Sequence, residues 1–207
     1  MASGSADHKI GIWDLEQMRA VCFLIEHSRQ VSKVSWHKLQ PNVLASGSYD
    51  KAVHVTECRS DGATLKWKFD AKVEDLCWTL SPYQMMVALS NGHICCIDTR
   101  VTKTIFYDFV AHQSSVTGLS FNPLTPQVLA SISEDGFLKL WNILDDAPYC
   151  LKTRNMRMGM LTCIDHCPNQ PYIYSVGGHT SSVRIVDFAS AEYQFLPNDT
   201  SQLSTFY

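Results

Sequence analysis

The stretch SISEDGFLKLWNIL, Ser131 to Leu144, holds two short alternating apolar runs around Glu134-Asp135-Gly136. Asp and Gly supply the backbone conformations of a tight turn, so the stretch reads as a β-hairpin. Its outline returns as SGSADHKIGIWDLE from Ser3 and SGSYDKAVHVTECR from Ser46. Weaker copies are ALSNGHICCIDTR from Ala88 and SVGGHTSSVRIVDF from Ser175. The copies at Ser3 and Ser46 stand 43 residues apart, and those at Ser131 and Ser175 stand 44 apart. Within each copy one strand face recurs: Ile10/Ile12, Val53/Val55, Ile94/Cys96, Leu138/Leu140 and Val183/Ile185.

A second register interleaves with the first. Val31/Val34/Trp36, Val73/Leu76/Trp78, Val116/Leu119/Phe121 and Leu161/Ile164/His166 share one spacing, and Pro41, Pro82, Pro123 and Pro168 follow them. Each unit has room for about four short strands, and helical periodicity is absent. A period of about 40 to 45 residues with a terminal Trp-Asp resembles the blades of WD40-repeat proteins. The fold class expected is all-β: a partial WD40 β-propeller with four full four-stranded blades plus three strands of a fifth. The expected units of this single domain run from about 1–25, 26–70, 71–110, 111–155 and 156–197, with a tail at 198–207. Glu192 to Leu196 is expected as the outer strand of the last unit. The first copy has no strand before it to pair with, so the chain is expected to be a C-terminal portion of a larger propeller or a truncated gene model.

In the complete unit, His112, Ser131, Asp135 and Trp141 resemble the structural tetrad of the WD40 family. Buried polar groups between strands must satisfy one another, and this set does so in a chain. His27, Ser46 and Asp50 form a second set with Thr56 in the Trp place, while Ser3, Asp7 and Trp13 occupy three places of a third. A His–Ser–Asp catalytic triad is rejected because Ser131 and Asp135 flank one hairpin and no nucleophile-elbow sequence surrounds the Ser.

Composition is that of a globular protein, with 45% hydrophobic and 18% charged residues. The net charge of −3 argues against a surface that grips phosphate throughout, but not against a local basic patch. The first residues lack the basic and apolar regions of a signal peptide, and no apolar run reaches membrane length, so an intracellular protein is expected. On that expectation the eight cysteines read as buried reduced thiols rather than a disulfide framework, and Asn198-Asp199-Thr200 as a chance glycosylation match. Alternation places Cys163, Asp165 and Cys167 of CIDHCP on one strand face and His166 on the other. Core residues are therefore expected there rather than a metal site.

SGSYDKAVHVTECRS with WKFDAKVEDLCW, and NMRMGMLTCIDHCPNQPYIYSVGG after LKLWNILDDAP, resemble the C-terminal half of the periodic tryptophan protein 1 family. The resemblance covers nearly the whole chain and is most specific from Met156 to Gly178. It implies a non-catalytic nuclear and nucleolar scaffold in large ribosomal subunit assembly and pre-rRNA processing. Its expected partners are pre-ribosomal assembly factors, with rRNA or histone tails at rRNA genes as further ones. No cofactor, metal, membrane or small-molecule substrate is expected.

LKTRNMRMGM reads as a connection between blades in which Lys152, Arg154 and Arg157 interleave with Met156, Met158 and Met160. Arg154, Arg157 and Met156 are the contact candidates, against a strand reading with Met158 and Met160 packed inward. Trp67 between Lys66 and Lys68 is a candidate for stacking on a base, against a place in an outer-strand pocket. Arg59 in TECR and Arg100 in IDTR resemble the Trp-Asp-x-Arg box of cullin-type ubiquitin-ligase substrate receptors, although both copies lack the Trp. That receptor and a histone-tail reader are the alternatives to the scaffold. No paired carboxylates, nucleophile–base spacing or phosphate loop points to an enzyme.

Overall fold

A computed structural model describes residues 1–59, 64–101, 104–144, 147–180 and 182–189. The alternating segments form five antiparallel sheets of neighbouring strands. The first holds β1 (Ala2–Gly4), β2 (Ile10–Asp14) and β3 (Arg19–Leu24); the second holds β4 (Val31–Trp36), β5 (Val43–Ser48), β6 (Ala52–Glu57) and β7 (Thr64–Lys68). The third holds β8 (Val73–Trp78), β9 (Gln84–Leu89), β10 (His93–Asp98) and β11 (Ile105–Val110). The fourth holds β12 (Val116–Phe121), β13 (Val128–Ser133), β14 (Phe137–Asn142) and β15 (Tyr149–Asn155); the fifth holds β16 (Leu161–His166), β17 (Ile173–Gly178) and β18 (Val183–Asp187). This is the architecture of a partial WD40 propeller. The outer strand expected at Glu192 to Leu196 lies outside the described residues.

Successive sheets pack face to face, and each apolar cluster lies between two neighbours. Val53, Val55 and Trp67 of the second sheet meet Leu76, Trp78 and Met85 of the third. Met86, Ile94 and Cys96 of the third meet Phe121, Leu129 and Trp141 of the fourth. Leu138, Leu140 and Met158 meet Tyr174, Val176 and Val186 of the fifth. The apolar face read from the hairpin copies is buried in four of them. In the fifth, Val183 and Ile185 are exposed because no described element packs against that side.

A β-bulge recurs at the same point of four sheets, after Val31, Val73, Val116 and Leu161. The extra residue turns its side chain away from the ladder. Ser32 Oγ therefore donates to Val73 O at 2.6 Å, and Thr117 Oγ1 to Leu161 O at 2.7 Å, tying each sheet to the next. Behind the bulge of the third sheet, the buried Asp75 lies 2.9 Å from Lys33 Nζ and accepts the Leu119 N–H at 2.9 Å.

Antiparallel order divides the turns between two faces. In the second to fifth sheets, turns from first to second and from third to fourth strand emerge on one; second-to-third turns, the β1–β2 turn of the three-stranded first sheet and the links between sheets emerge on the other. On the first face, His37 Nε2–H donates to Pro82 O at 2.6 Å and Asn122 Nδ2 donates to Gln170 O at 3.0 Å, locking neighbouring turns together.

Candidate functional site

Strand β13 brings Ser131 under the turn that carries Asp135, and the segment before β12 lowers His112 between them. His112 lies 3.0 Å from Asp135 Oδ2 through Nδ1 and 2.8 Å from Ser131 Oγ through Nε2, while Trp141 Nε1–H donates to Ser131 Oγ at 2.9 Å. Burial lowers the pKa of His112, although Asp135 opposes it, so the imidazole is neutral. The chain of donors then runs Trp141, Ser131, His112, Asp135. Burial raises the Asp135 carboxyl, but the Phe137 N–H and His112 outweigh it and hold the group below its ordinary value. Ser131 is fully buried and its oxygen already accepts the indole N–H, so it offers a substrate no attacking atom.

The second sheet reaches a similar result with other residues. His27 lies 3.0 Å from Asp50 and 2.9 Å from Ser46. Where the indole would sit, Thr56 Oγ1 instead donates to Glu26 at 2.9 Å, and the His54 ring stacks on His27 at 4.2 Å. His54 Nδ1 stands 3.3 Å from Glu26 outside hydrogen-bond geometry, so that buried nitrogen has an ionic neighbour but no hydrogen bond. Glu26 and His54 belong to this network, and sequence reasoning missed both. The available signal was a carboxylate directly before the tetrad His where the complete unit has Ala111. In the first sheet, Trp13 Nε1–H donates to Ser3 Oγ at 2.8 Å. Asp7 caps its own turn, accepting the Lys9 N–H at 3.2 Å.

The contact candidates separate. Lys152 and Arg154 lie within outer strand β15, so the blade connection is shorter than the sequence suggests and begins at Met156. Met156 is a correction: it is buried beside Met158, and Arg184 donates to its carbonyl at 2.8 Å. The strand alternative holds for Met158, which is buried, but not for Met160, which is exposed. Arg157 is exposed, at a left-handed φ of 51°, with its N–H bonded to Asn155 Oδ1. Trp67 is a second correction: it is buried in the core between the second and third sheets, where no base reaches it. Arg59 is exposed in the turn after β6. Arg100 forks onto Asp98, with Nη2 at 2.6 Å, and lies 4.8 Å over the Tyr83 ring.

CIDHCP also departs from the core expectation. Cys163 and Asp165 are exposed, and His166 lies 3.1 Å from Ser120 Oγ. Among the described residues no three His, Cys, Asp or Glu side chains converge as metal ligands would. All eight cysteines are free, yet Cys150 and Cys163 are exposed rather than buried. Burial pushes the Cys77 and Cys95 thiols up to about 12 and Cys96 to about 11.

Repeated antiparallel sheets of three or four strands, one of them holding a complete His–Ser–Asp–Trp chain, are the architecture of a partial WD40 propeller. The model of the WD domain, G-beta repeat, matches residues 18–56 and 103–142. The particular likeness is to periodic tryptophan protein 1. The chain is 27% identical to the Drosophila melanogaster homolog across 86% of its own length and 40% of that protein. It is 26% identical to the Saccharomyces cerevisiae protein across 82% of its own length and 32% of that one. E3 ubiquitin-protein ligase COP1 of Arabidopsis thaliana is also 26% identical, but over 72% of this chain and 22% of the ligase. The chain thus spans less than half the length of these relatives.

Proposed function

We propose that this WD40 chain is a non-catalytic scaffold of ribosome biogenesis, acting in large-subunit assembly and pre-rRNA processing in the nucleus and nucleolus. The observation that carries the reading is the extent of the likeness to periodic tryptophan protein 1, which runs through 86% of the chain. The buried state of Ser131 supports a tetrad that holds strands rather than one that performs chemistry. Partners in this reading are pre-ribosomal assembly factors, with Arg154 in the outer strand of the fourth sheet and Arg157 in the link that follows it as the candidates for rRNA. Affinity purification of the protein at its natural level tests it, with large-subunit precursor proteins and pre-rRNA expected. Recovery of cullin adaptor subunits dependent on Arg59 and Arg100, or of histone tails without RNA, overturns it.

A further inference from the structure

Both faces of the stack carry exposed charges, but the exposed leucines of the described turns gather on one of them. Leu39, Leu80 and Leu124 are exposed in the first-to-second turns of three consecutive sheets, and Leu144 is 69% exposed in a third-to-fourth turn of the same face. The opposite face presents Asp7, Arg29, Lys51, Lys72, Glu134 and Arg157. In its described loops, Ile25 and Met160 are the exposed large apolar residues. Single surface leucines are ordinary; one per turn, confined to one face, marks an interaction surface.

Among the pockets that open on that same face, two lie in successive gaps between sheets. The first, of about 280 Å³, is walled by Val43, Val55, Leu65, Pro82 and Tyr83, with Arg100 and Glu57 also in its lining. The second, of about 210 Å³, is walled by Leu80, Tyr107, Pro126, Ile143 and Leu144, with no charged residue among its described lining residues. The His37–Pro82 bond fixes the wall of the first before anything binds.

We propose that this face docks a segment of another protein that places one leucine-sized or aromatic side chain in each pocket and a carboxylate on Arg100. The charge of the occupant follows from the Arg100 geometry. Asp98 holds Nε and Nη2, Tyr83 underlies the guanidinium plane, and the side chain remains 61% exposed. A cation fixed in this way presents its outer edge in one orientation, which suits a carboxylate. Glu57 in the same pocket confines that carboxylate to the Arg100 side. A nucleic acid is disfavoured, because the leucines neutralise no phosphate and the second pocket has no cation among its described lining residues. The proposal deepens the scaffold reading and rests on it only for its cellular setting.

Selection of a displayed random peptide library against the full chain tests the surface. The expected peptides carry two apolar anchors and an Asp or Glu. Their affinity falls at least tenfold with Leu80→Asp, Leu144→Asp and Arg100→Glu, and holds with Ile185→Asp, which removes an exposed apolar residue elsewhere. Leu144→Ser, at a solvent-exposed turn, carries the test if an aspartate variant unfolds. Failure to enrich any peptide overturns the proposal, as do peptides that bind all variants equally. Self-association of the chain abolished by Leu80→Asp, or oligouridylate binding lost with the same variants, also overturns it. Failed selection alongside recovered large-subunit precursors removes this face and leaves the scaffold reading standing. Successful selection without those precursors does the reverse.

Discussion

Lys33 reaches from the second sheet to place its ammonium 2.9 Å from the Asp75 carboxylate of the third, which in turn accepts the Leu119 N–H of the fourth. One buried carboxylate thus spans three sheets. Lys33 is half-exposed, whereas Asp75 is buried, so the two ends of the pair carry different costs. Asp75→Ala is expected to destabilise by about 2–3 kcal/mol, because it orphans a buried N–H as well as the cation. Lys33→Met is expected to cost about 1 kcal/mol, since Asp75 keeps its backbone donors. Urea unfolding of the two variants at neutral pH measures the order, and equal losses would refute the three-sheet role.

Stability is expected to fall as the solution is acidified from neutrality, in two stages. Burial lowers the pKa values of His27 and His112 beneath the ordinary 6.5, so the unfolded chain binds protons first. Their contribution is complete above that value and is lost below it. Asp50 and Asp135, both held under the ordinary 3.8, add a second loss below that value. Glu74, raised by burial, acts in the opposite sense just above 4.5. Urea midpoints measured across this range check the signs, and His112→Asn is expected to flatten the first stage.

Met156 and Met160 sit four residues apart with opposite surroundings, one buried and one exposed. Met156→Ala is expected to cost about 2–4 kcal/mol through the cavity it leaves. Met160→Ala is expected to change stability by about 0.5 kcal/mol or less. Thermal unfolding distinguishes them, and a neutral Met156→Ala would return that residue to the contact candidates.

Cysteine reactivity should divide the same way. Cys150 and Cys163 are exposed and are expected to label rapidly with an aromatic disulfide in the native protein. Cys95 and Cys96, buried and with raised thiol pKa values, should remain protected until unfolding. Mass spectrometry after timed labelling reads each site.

The repeat, the strands and the tetrad partners were legible because each depends on spacing within one unit. Alternation shows the strand, Asp-Gly shows the turn, and a His, Ser, Asp and Trp at fixed offsets meet wherever the hairpin forms. The replacement of the indole by Glu26, Thr56 and His54 was harder to read, because it uses a residue from the preceding connection. Met156 and Trp67 misled for a related reason. Flanking cations made them look like contact residues, and only the neighbouring sheet shows that they are buried.

By itself, then, the sequence determined the number of hairpin units, their period and the complete polar chain of the fourth sheet, all products of local periodicity and turn chemistry. The tertiary structure alone decided which faces are covered, how Lys33, Asp75 and Leu119 join three sheets, and that the exposed leucines gather on one face beside two pockets. Those features arise from side chains that meet across the gaps between sheets, and no spacing within a single unit encodes which side chains those gaps bring together.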